Sequence, residues 1–125
     1  MTENEISYKI RGAIFNVYNN LGPGLLESAY ETALKIELEK AGLSVETQVY
    51  LPIVYGGVTI PKAYRIDILV EKKVIIELKV VQYVSDVCYK QLLTYLKMTG
   101  LKLGILVNFD TSDIVSSIHR TVNGL

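Results

Sequence analysis

Two acidic residues and a lysine interrupt apolar segments near the middle of the chain. Glu77 and Lys79 lie in the segment VIIELKVV (residues 74–81), and alternation along a β-strand places them on one face. Asp67 interrupts the preceding apolar segment, and a hairpin between the two segments would bring Asp67 near Glu77. Burial of such ions costs on the order of several kcal/mol each unless they are paired or bound. Because a divalent cation removes the repulsion between neighbouring carboxylates, the pattern indicates a metal site.

The ligand types narrow the choice of metal. Carboxylate oxygens beside a lysine favour Mg²⁺ or Mn²⁺ over zinc, and the chain has no zinc-type spacing of Cys and His. The single cysteine, Cys88, cannot form an internal disulfide, which suits a reducing, cytoplasmic location. From the spacing alone, an alternative stays open: Glu77 and Lys79 could be a solvent-facing pair on a half-exposed sheet.

The elements that must position these residues follow from hydrophobic periodicity. Helical spacing predicts helices over residues 5–20, 25–41 and 85–99, and alternation predicts strands over 45–55, 63–71, 74–81 and 103–109. Residues 113–123 fit either a helix or an edge strand, and Pro52 makes the first strand an edge or bulged strand. The third helix forms a crossover, so its flanking strands are expected to be parallel. The order predicts an α/β fold with a mixed central β-sheet flanked by helices.

Length and composition exclude several classes of protein. The 125 residues are half apolar, which excludes a disordered chain and predicts one domain over residues 1–125. No segment is long and apolar enough for a membrane span, and the polar N-terminus is not a signal peptide. Thirteen basic and thirteen acidic residues give zero net charge, so attraction to a polyanion must be local. Residues 47–105 are the basic part, with eight bases and four acids.

Several motifs together resemble a known family. Asp67 followed by Glu77-Leu78-Lys79 resembles the D…(D/E)-x-K signature of the PD-(D/E)XK nuclease superfamily. The segment GLLESAY (residues 24–30) resembles the eponymous motif of its small bacterial and archaeal GxxExxY group, and residues 64–71, 91–97 and 104–109 also look like that group. The classical proline before the aspartate is replaced by Ile66. The resemblance implies a restriction-endonuclease-like core.

The resemblance also implies a role for each matching residue. Asp67 and Glu77 would be metal ligands, with Glu27 as an additional acidic residue of the catalytic and metal site. Lys79 would orient or help to deprotonate the attacking water, and Gln91 would line the site. Tyr30 is a supporting residue that either hydrogen-bonds Glu27 or packs in the core.

The function implied is that of a Mg²⁺- or Mn²⁺-dependent nuclease acting on DNA or RNA. Candidate contacts to the nucleic-acid backbone are Lys62, Arg65, Lys90 and Lys97. One alternative is a non-catalytic module with a nuclease fold that binds a protein or nucleic acid, and the nine tyrosines and neutral charge would suit a homodimer. A weaker alternative is a metal-dependent hydrolase of small nucleotides.

Overall fold

The chain folds into one five-stranded sheet with two helices on one face and one on the other. The computed structural model describes residues 1–125. The helices are α1 (Glu3–Leu21), α2 (Glu27–Lys40) and α3 (Asp86–Thr99). The strands are β1 (Val45–Tyr55), β2 (Val58–Val70), β3 (Val74–Lys79), β4 (Leu103–Asn108) and β5 (Ile118–Val122). They lie in the order β1-β2-β3-β4-β5, and only β3 and β4 are parallel.

The predicted fold class is confirmed, including the parallel pairing across the α3 crossover. The ambiguous tail forms a short 3-10 turn and then the edge strand β5. The predicted start of β2 at Ala63 is wrong, because the strand begins at Val58 and pairs there with β1 beyond the main body of the sheet. The side chains of this extension are exposed, so the sequence carries no burial pattern to reveal it. None of the helices combines the length and apolar content needed to cross a bilayer.

Two hydrophobic cores hold the helices to the sheet. The larger lies between the sheet and helices α1 and α2, and α1 contributes Ile6, Ile10 and Ile14 at helical spacing. The smaller lies under α3, which contributes Leu92 and residues one turn further on. Gly104 of β4 lets α3 come close, because a Cβ at this position would lie 2.7 Å from Leu92 Cδ1.

In the β1–β2 hairpin, the alternation of side chains between the two faces of the sheet is interrupted at Gln48 and Asp67. We call this pair of residues the bend. Ile68 packs in the larger core and Ile66 in the smaller one, although residues two apart on a regular strand share a face. Gln48 has a φ of 54°, and neither it nor Asp67 belongs to the otherwise continuous register of residues around it. We call residues 49–66 the hairpin arm. In this arm the alternation of side chains between the two faces of the sheet is therefore reversed relative to the strands beyond the bend.

The bend also separates β2 from β3. The two strands pair from Val70 and Val74 as far as Ile68 and Ile76, and the pairing stops there. The next residues in this register would be Asp67 and Glu77. The two acidic residues therefore meet where the backbone ladder ends, which leaves room for a cavity.

Candidate active site

A cavity of about 390 Å³ opens where β2 and β3 part. Helices α2 and α3 and strands β1, β2 and β3 all contribute side chains to it. The eight lining residues are Glu27, Tyr50, Arg65, Asp67, Glu77, Lys79, Gln91 and Tyr95. All five predicted catalytic residues are therefore brought to one cavity, and only two of the lining residues are hydrophobic.

Asp67 and Glu77 form the floor of the site and are bound to each other's strands. Asp67 Oδ2 accepts a hydrogen bond from the Leu78 N–H at 2.9 Å, and Glu77 Oε1 accepts one from the Asp67 N–H at 3.4 Å. The side chains bind these N–H groups at the point where strand pairing ends. The residues are only 3% and 5% exposed, so their carboxyl groups are held in a nearly dry environment.

This environment disfavours two negative charges. Burial is the largest cause that raises the pKa of Glu77 far above its usual range, and the neighbouring Asp67 charge raises it further. Lys79 opposes this shift but does not overcome it. Burial and then Asp67 also raise the pKa of Glu27, with Lys79 and Arg65 acting in the opposite direction. The site thus favours a protonated Glu77 unless a cation offsets the negative charge.

Lys79 supplies a positive charge at the end of β3. Its side chain is half-buried and takes part in neither of the salt bridges of the molecule. Its backbone is held in place, because the Lys79 carbonyl accepts a hydrogen bond from the Phe109 N–H at 2.9 Å. Val81, two residues after Lys79, is also held, because the Asn108 side chain donates to its carbonyl and accepts from its N–H. The ammonium is therefore carried by a fixed backbone but is not bound directly to a carboxylate.

Tyr30 fixes the turn that precedes Glu27. Its ring is fully buried and stacks on Phe109, with the ring centroids 4.4 Å apart. Its hydroxyl donates to the Gly22 carbonyl at 2.6 Å and accepts from the Leu25 N–H at 3.2 Å. Of the two alternatives for Tyr30, the core aromatic is therefore correct and the bond to Glu27 is absent. Tyr30 acts on Glu27, the first residue of α2, by shaping the turn that leads into the helix.

The predicted nucleic-acid contacts separate into two groups. Arg65 lines the cavity, and its guanidinium lies 3.5 Å from Asp67 Oδ1. The other three, Lys62, Lys90 and Lys97, are exposed and lie outside the lining. Lys62 is nevertheless close, since its ammonium lies 4.8 Å from the ring centroid of Tyr50.

Two residues of the cavity lining, together with Gln48 at the bend, were missed by sequence reasoning. Tyr95 lines the cavity, and its spacing of one helical turn from Gln91 was the available signal. Tyr50 lines the cavity from the hairpin arm, and no sequence pattern predicted that this arm would reach the cavity. Gln48 creates the bend, and its side-chain amide donates to Glu31 Oε1 on α2. Burial, followed by the Glu77 charge, raises the pKa of Tyr95, so this hydroxyl keeps its proton.

The donor set fits magnesium better than zinc. No three His, Cys, Asp or Glu side chains lie close enough to hold an ion together, so Glu27 lines the cavity without completing such a cluster. Asp67 and Glu77 are two convergent carboxyl groups. Mg²⁺ keeps several waters and is commonly held by one or two carboxylates, whereas structural zinc requires four protein ligands. The pair therefore fits a hydrated Mg²⁺ ion.

Comparison with protein families agrees with this geometry. A model of the PD-(D/E)XK nuclease superfamily matches residues 4–121. The chain belongs to this superfamily. Neither the curated proteins nor the solved structures yield a match. PD-(D/E)XK nucleases generally use divalent metals, and the matched range includes Asp67, Glu77 and Lys79, the residues that meet at the cavity floor.

Proposed function

We propose that this chain is a Mg²⁺-dependent nuclease that hydrolyses phosphodiester bonds of nucleic acid, with Mn²⁺ as an alternative metal. The observation that supports it most is the meeting of buried Asp67 and Glu77 with Lys79 in one open cavity. In a chain of this superfamily, such a constellation suits a metal-assisted attack of water on a phosphate. A structural ion pair would instead bring Lys79 into contact with one of the carboxylates.

The proposed roles combine what the resemblance to the superfamily implies with the positions of the residues around the cavity. Asp67 and Glu77 would hold the metal together with a backbone carbonyl near Leu78. When bound, Mg²⁺ supplies polarisation of the scissile phosphate and a lower pKa for a coordinated water. Lys79 stabilises the negative charge that develops on the phosphate and orients the water, an effect that is strongest in a water-poor site. Glu27 and Gln91 add polar contacts at the two helices that border the cavity.

The substrate is held mainly through its phosphates. Arg65 reaches the cavity, and Lys62, Lys90 and Lys97 are exposed cations suited to phosphates farther along the strand. The chain has no motif for reading base edges, so we expect little sequence specificity. The protein would work as one domain over residues 1–125 in the cytoplasm. Within the superfamily we assign it to the GxxExxY group, because Glu27 and Tyr30 of that motif border and support the cavity.

Cleavage assays with matched variants test the proposal. Purified protein is incubated with single- and double-stranded DNA and RNA in the presence of Mg²⁺ or Mn²⁺. Glu77→Ala and Lys79→Ala should each lower the rate by about 100-fold or more, the loss typical of removing one group that stabilises the transition state. Lys102→Ala, a matched change at an exposed lysine that lies outside the cavity and outside the proposed phosphate contacts, should keep the wild-type rate. Cleavage that survives unchanged in both cavity variants comes from a contaminant and contradicts the proposal.

Calorimetric titration tests metal binding separately from cleavage. Wild-type protein should bind Mg²⁺ or Mn²⁺, and Asp67→Asn, which keeps the shape of the side chain, should bind either ion far more weakly. Circular dichroism checks that this variant remains folded. Wild-type protein that binds neither ion would contradict the nuclease proposal and favour a non-catalytic binding module. Activity on dinucleotides but not on polymers would instead indicate a hydrolase of small nucleotides.

A further inference from the structure

The hairpin arm is the only long segment next to the cavity that carries positive charge without any negative charge. Residues 49–66 contain two bases, Lys62 and Arg65, and no acid. Their end nearest the bend forms one wall of the cavity through Tyr50 and Arg65. The arm is therefore a cationic surface continuous with the candidate active site.

Tyr50 lies beside both cations of this arm. Its side chain is 48% exposed although it lines the cavity. The Lys62 ammonium lies 4.8 Å from its ring centroid, and Arg65 is its register partner on β2. An aromatic ring that is open to water and flanked by two cations differs from a core tyrosine such as Tyr30, which is fully buried and has its hydroxyl satisfied by backbone groups.

Proteins that hold single strands combine such a ring with nearby positive charge. A nucleobase stacks on the ring, while cations contact the phosphates on either side. Bases inside a duplex stack on one another and do not present a free face to a protein side chain. A ring at the mouth of a phosphate-cleaving cavity would therefore favour strands in which a base is unpaired.

We propose that Tyr50 is a stacking platform for an unpaired nucleobase, so that the site takes single-stranded DNA or RNA in preference to duplex. Lys62 and Arg65 contact the phosphates that flank the stacked base. Cleavage of the bound strand rests on the proposed nuclease function, whereas binding of the strand does not. A second copy of the chain is a poorer occupant, because a symmetric contact between two arms would bring the same cations face to face.

Binding without divalent metal ions tests this inference alone. Fluorescence anisotropy compares labelled single-stranded DNA, single-stranded RNA and a duplex of equal length. Wild-type protein should bind both single strands more tightly than the duplex. Tyr50→Ala should weaken single-strand binding by about tenfold, and Tyr50→Phe, which keeps the ring, should bind as wild type does. Tyr55→Ala is the matched control, since Tyr55 lies on the same arm, is 77% exposed and does not line the cavity.

A strand with abasic positions separates stacking from any general effect on the arm. Tyr50→Ala and wild type should bind this strand equally, because it offers no base to the ring. Equal weakening of single strand, duplex and abasic strand would overturn the inference, as would a wild-type protein that prefers duplex. A wild-type dimer in sedimentation that becomes a monomer in Tyr50→Ala would also overturn it. Strand binding with this pattern but without cleavage in Mg²⁺ would support the inference and contradict the nuclease function.

Discussion

The sheet has two different parts, which meet at the bend. On the inner side, β3 is paired with both neighbours, and most of its side chains are buried between helices. On the outer side, the hairpin arm has only two strands, and side chains such as Val54 and Tyr55 are 71% and 77% exposed. The inner part provides a rigid, dry frame, and the outer part provides an accessible surface. The residues suited to chemistry lie at their boundary, where burial and access coincide.

The boundary also explains the hydrogen bonding of the two buried carboxyl groups. In the inner part, backbone N–H groups are taken up by neighbouring strands. At the boundary, Asp67 and Glu77 accept hydrogen bonds from such groups in place of a strand. The end of strand pairing therefore supplies the N–H donors that these two carboxyl groups bind.

The largest expected contrast is between a tyrosine of each part. Tyr30→Ala should lower the free energy of unfolding by about 3–5 kcal/mol, because it removes a buried ring that stacks on Phe109. Tyr55→Ala, on the arm, should change it by no more than about 0.5 kcal/mol. Urea denaturation followed by circular dichroism measures both. Equal losses would mean that the arm is as much a part of the stable frame as the inner sheet.

The boundary itself should show a pH dependence. Folded Glu77 holds its proton at pH values where the unfolded chain has lost it, because its folded pKa is raised. Stability of the metal-free protein should therefore be highest below the ordinary glutamate pKa and fall as the pH rises, by at most about 1.4 kcal/mol per pH unit. Denaturation at about pH 5 and about pH 8 measures this fall.

Two controls accompany the pH measurement. Glu77→Gln should flatten the dependence, since glutamine does not titrate. Added Mg²⁺ should stabilise the wild type more at the higher pH, because binding needs deprotonated carboxylates. A wild type whose stability rises over the same interval would show that Glu77 is charged in the folded, metal-free protein.

A substitution where α3 closely approaches the inner sheet should have a smaller effect on the free energy of unfolding. Gly104→Ala should lower the free energy of unfolding by about 1–3 kcal/mol, because the new methyl group displaces buried Leu92. Gly12→Ala is the matched control, since Gly12 lies in α1 with open space around it, and this change should stabilise the protein by up to about 1 kcal/mol. Thermal unfolding compares them, and a neutral Gly104→Ala would mean that α3 packs loosely.

The smallest expected difference concerns Gln48 at the bend. Gln48→Gly and Gln48→Val both lose the hydrogen bond to Glu31, but only glycine adopts a φ of 54° without strain. The valine variant should be less stable than the glycine variant by about 1–2 kcal/mol. Chemical denaturation of the pair measures this difference. A valine variant as stable as the glycine variant would mean that the bend relaxes to regular strand and that the two parts are one continuous sheet.

The inner part and the floor of the site were predictable from local patterns. Alternation in VIIELKVV placed Glu77 and Lys79 on one face, and the short polar turn before it implied the hairpin that brings Asp67 close. These inferences hold because burial on both faces of a central strand leaves a strong apolar signal in which a charged residue stands out.

The outer part was not predictable for the opposite reason. The β2 half of the arm is exposed and carries no burial pattern, so the beginning of β2 left no recognisable signal. Alternation predicted β1 itself but not that Tyr50 would reach the cavity. Gln48 is not a residue type that signals a positive φ, and its partner Glu31 is distant in sequence. Tyr95 was visible only as a helical neighbour of Gln91, because a tyrosine that lines a cavity and one that fills a core occupy the same spacing.

The hydrogen bond from the Leu78 N–H to Asp67 has a consequence for the evolutionary history of the chain. Asp67 is a structural residue of the sheet whatever else it does, so selection for folding alone would preserve it in a descendant without the proposed activity. Lys79 belongs to neither salt bridge, so no ion pair ties its side chain to the fold. Under the proposed nuclease function, loss of the lysine in a diverging sequence would therefore mark loss of activity, whereas retention of the aspartate would not mark its presence.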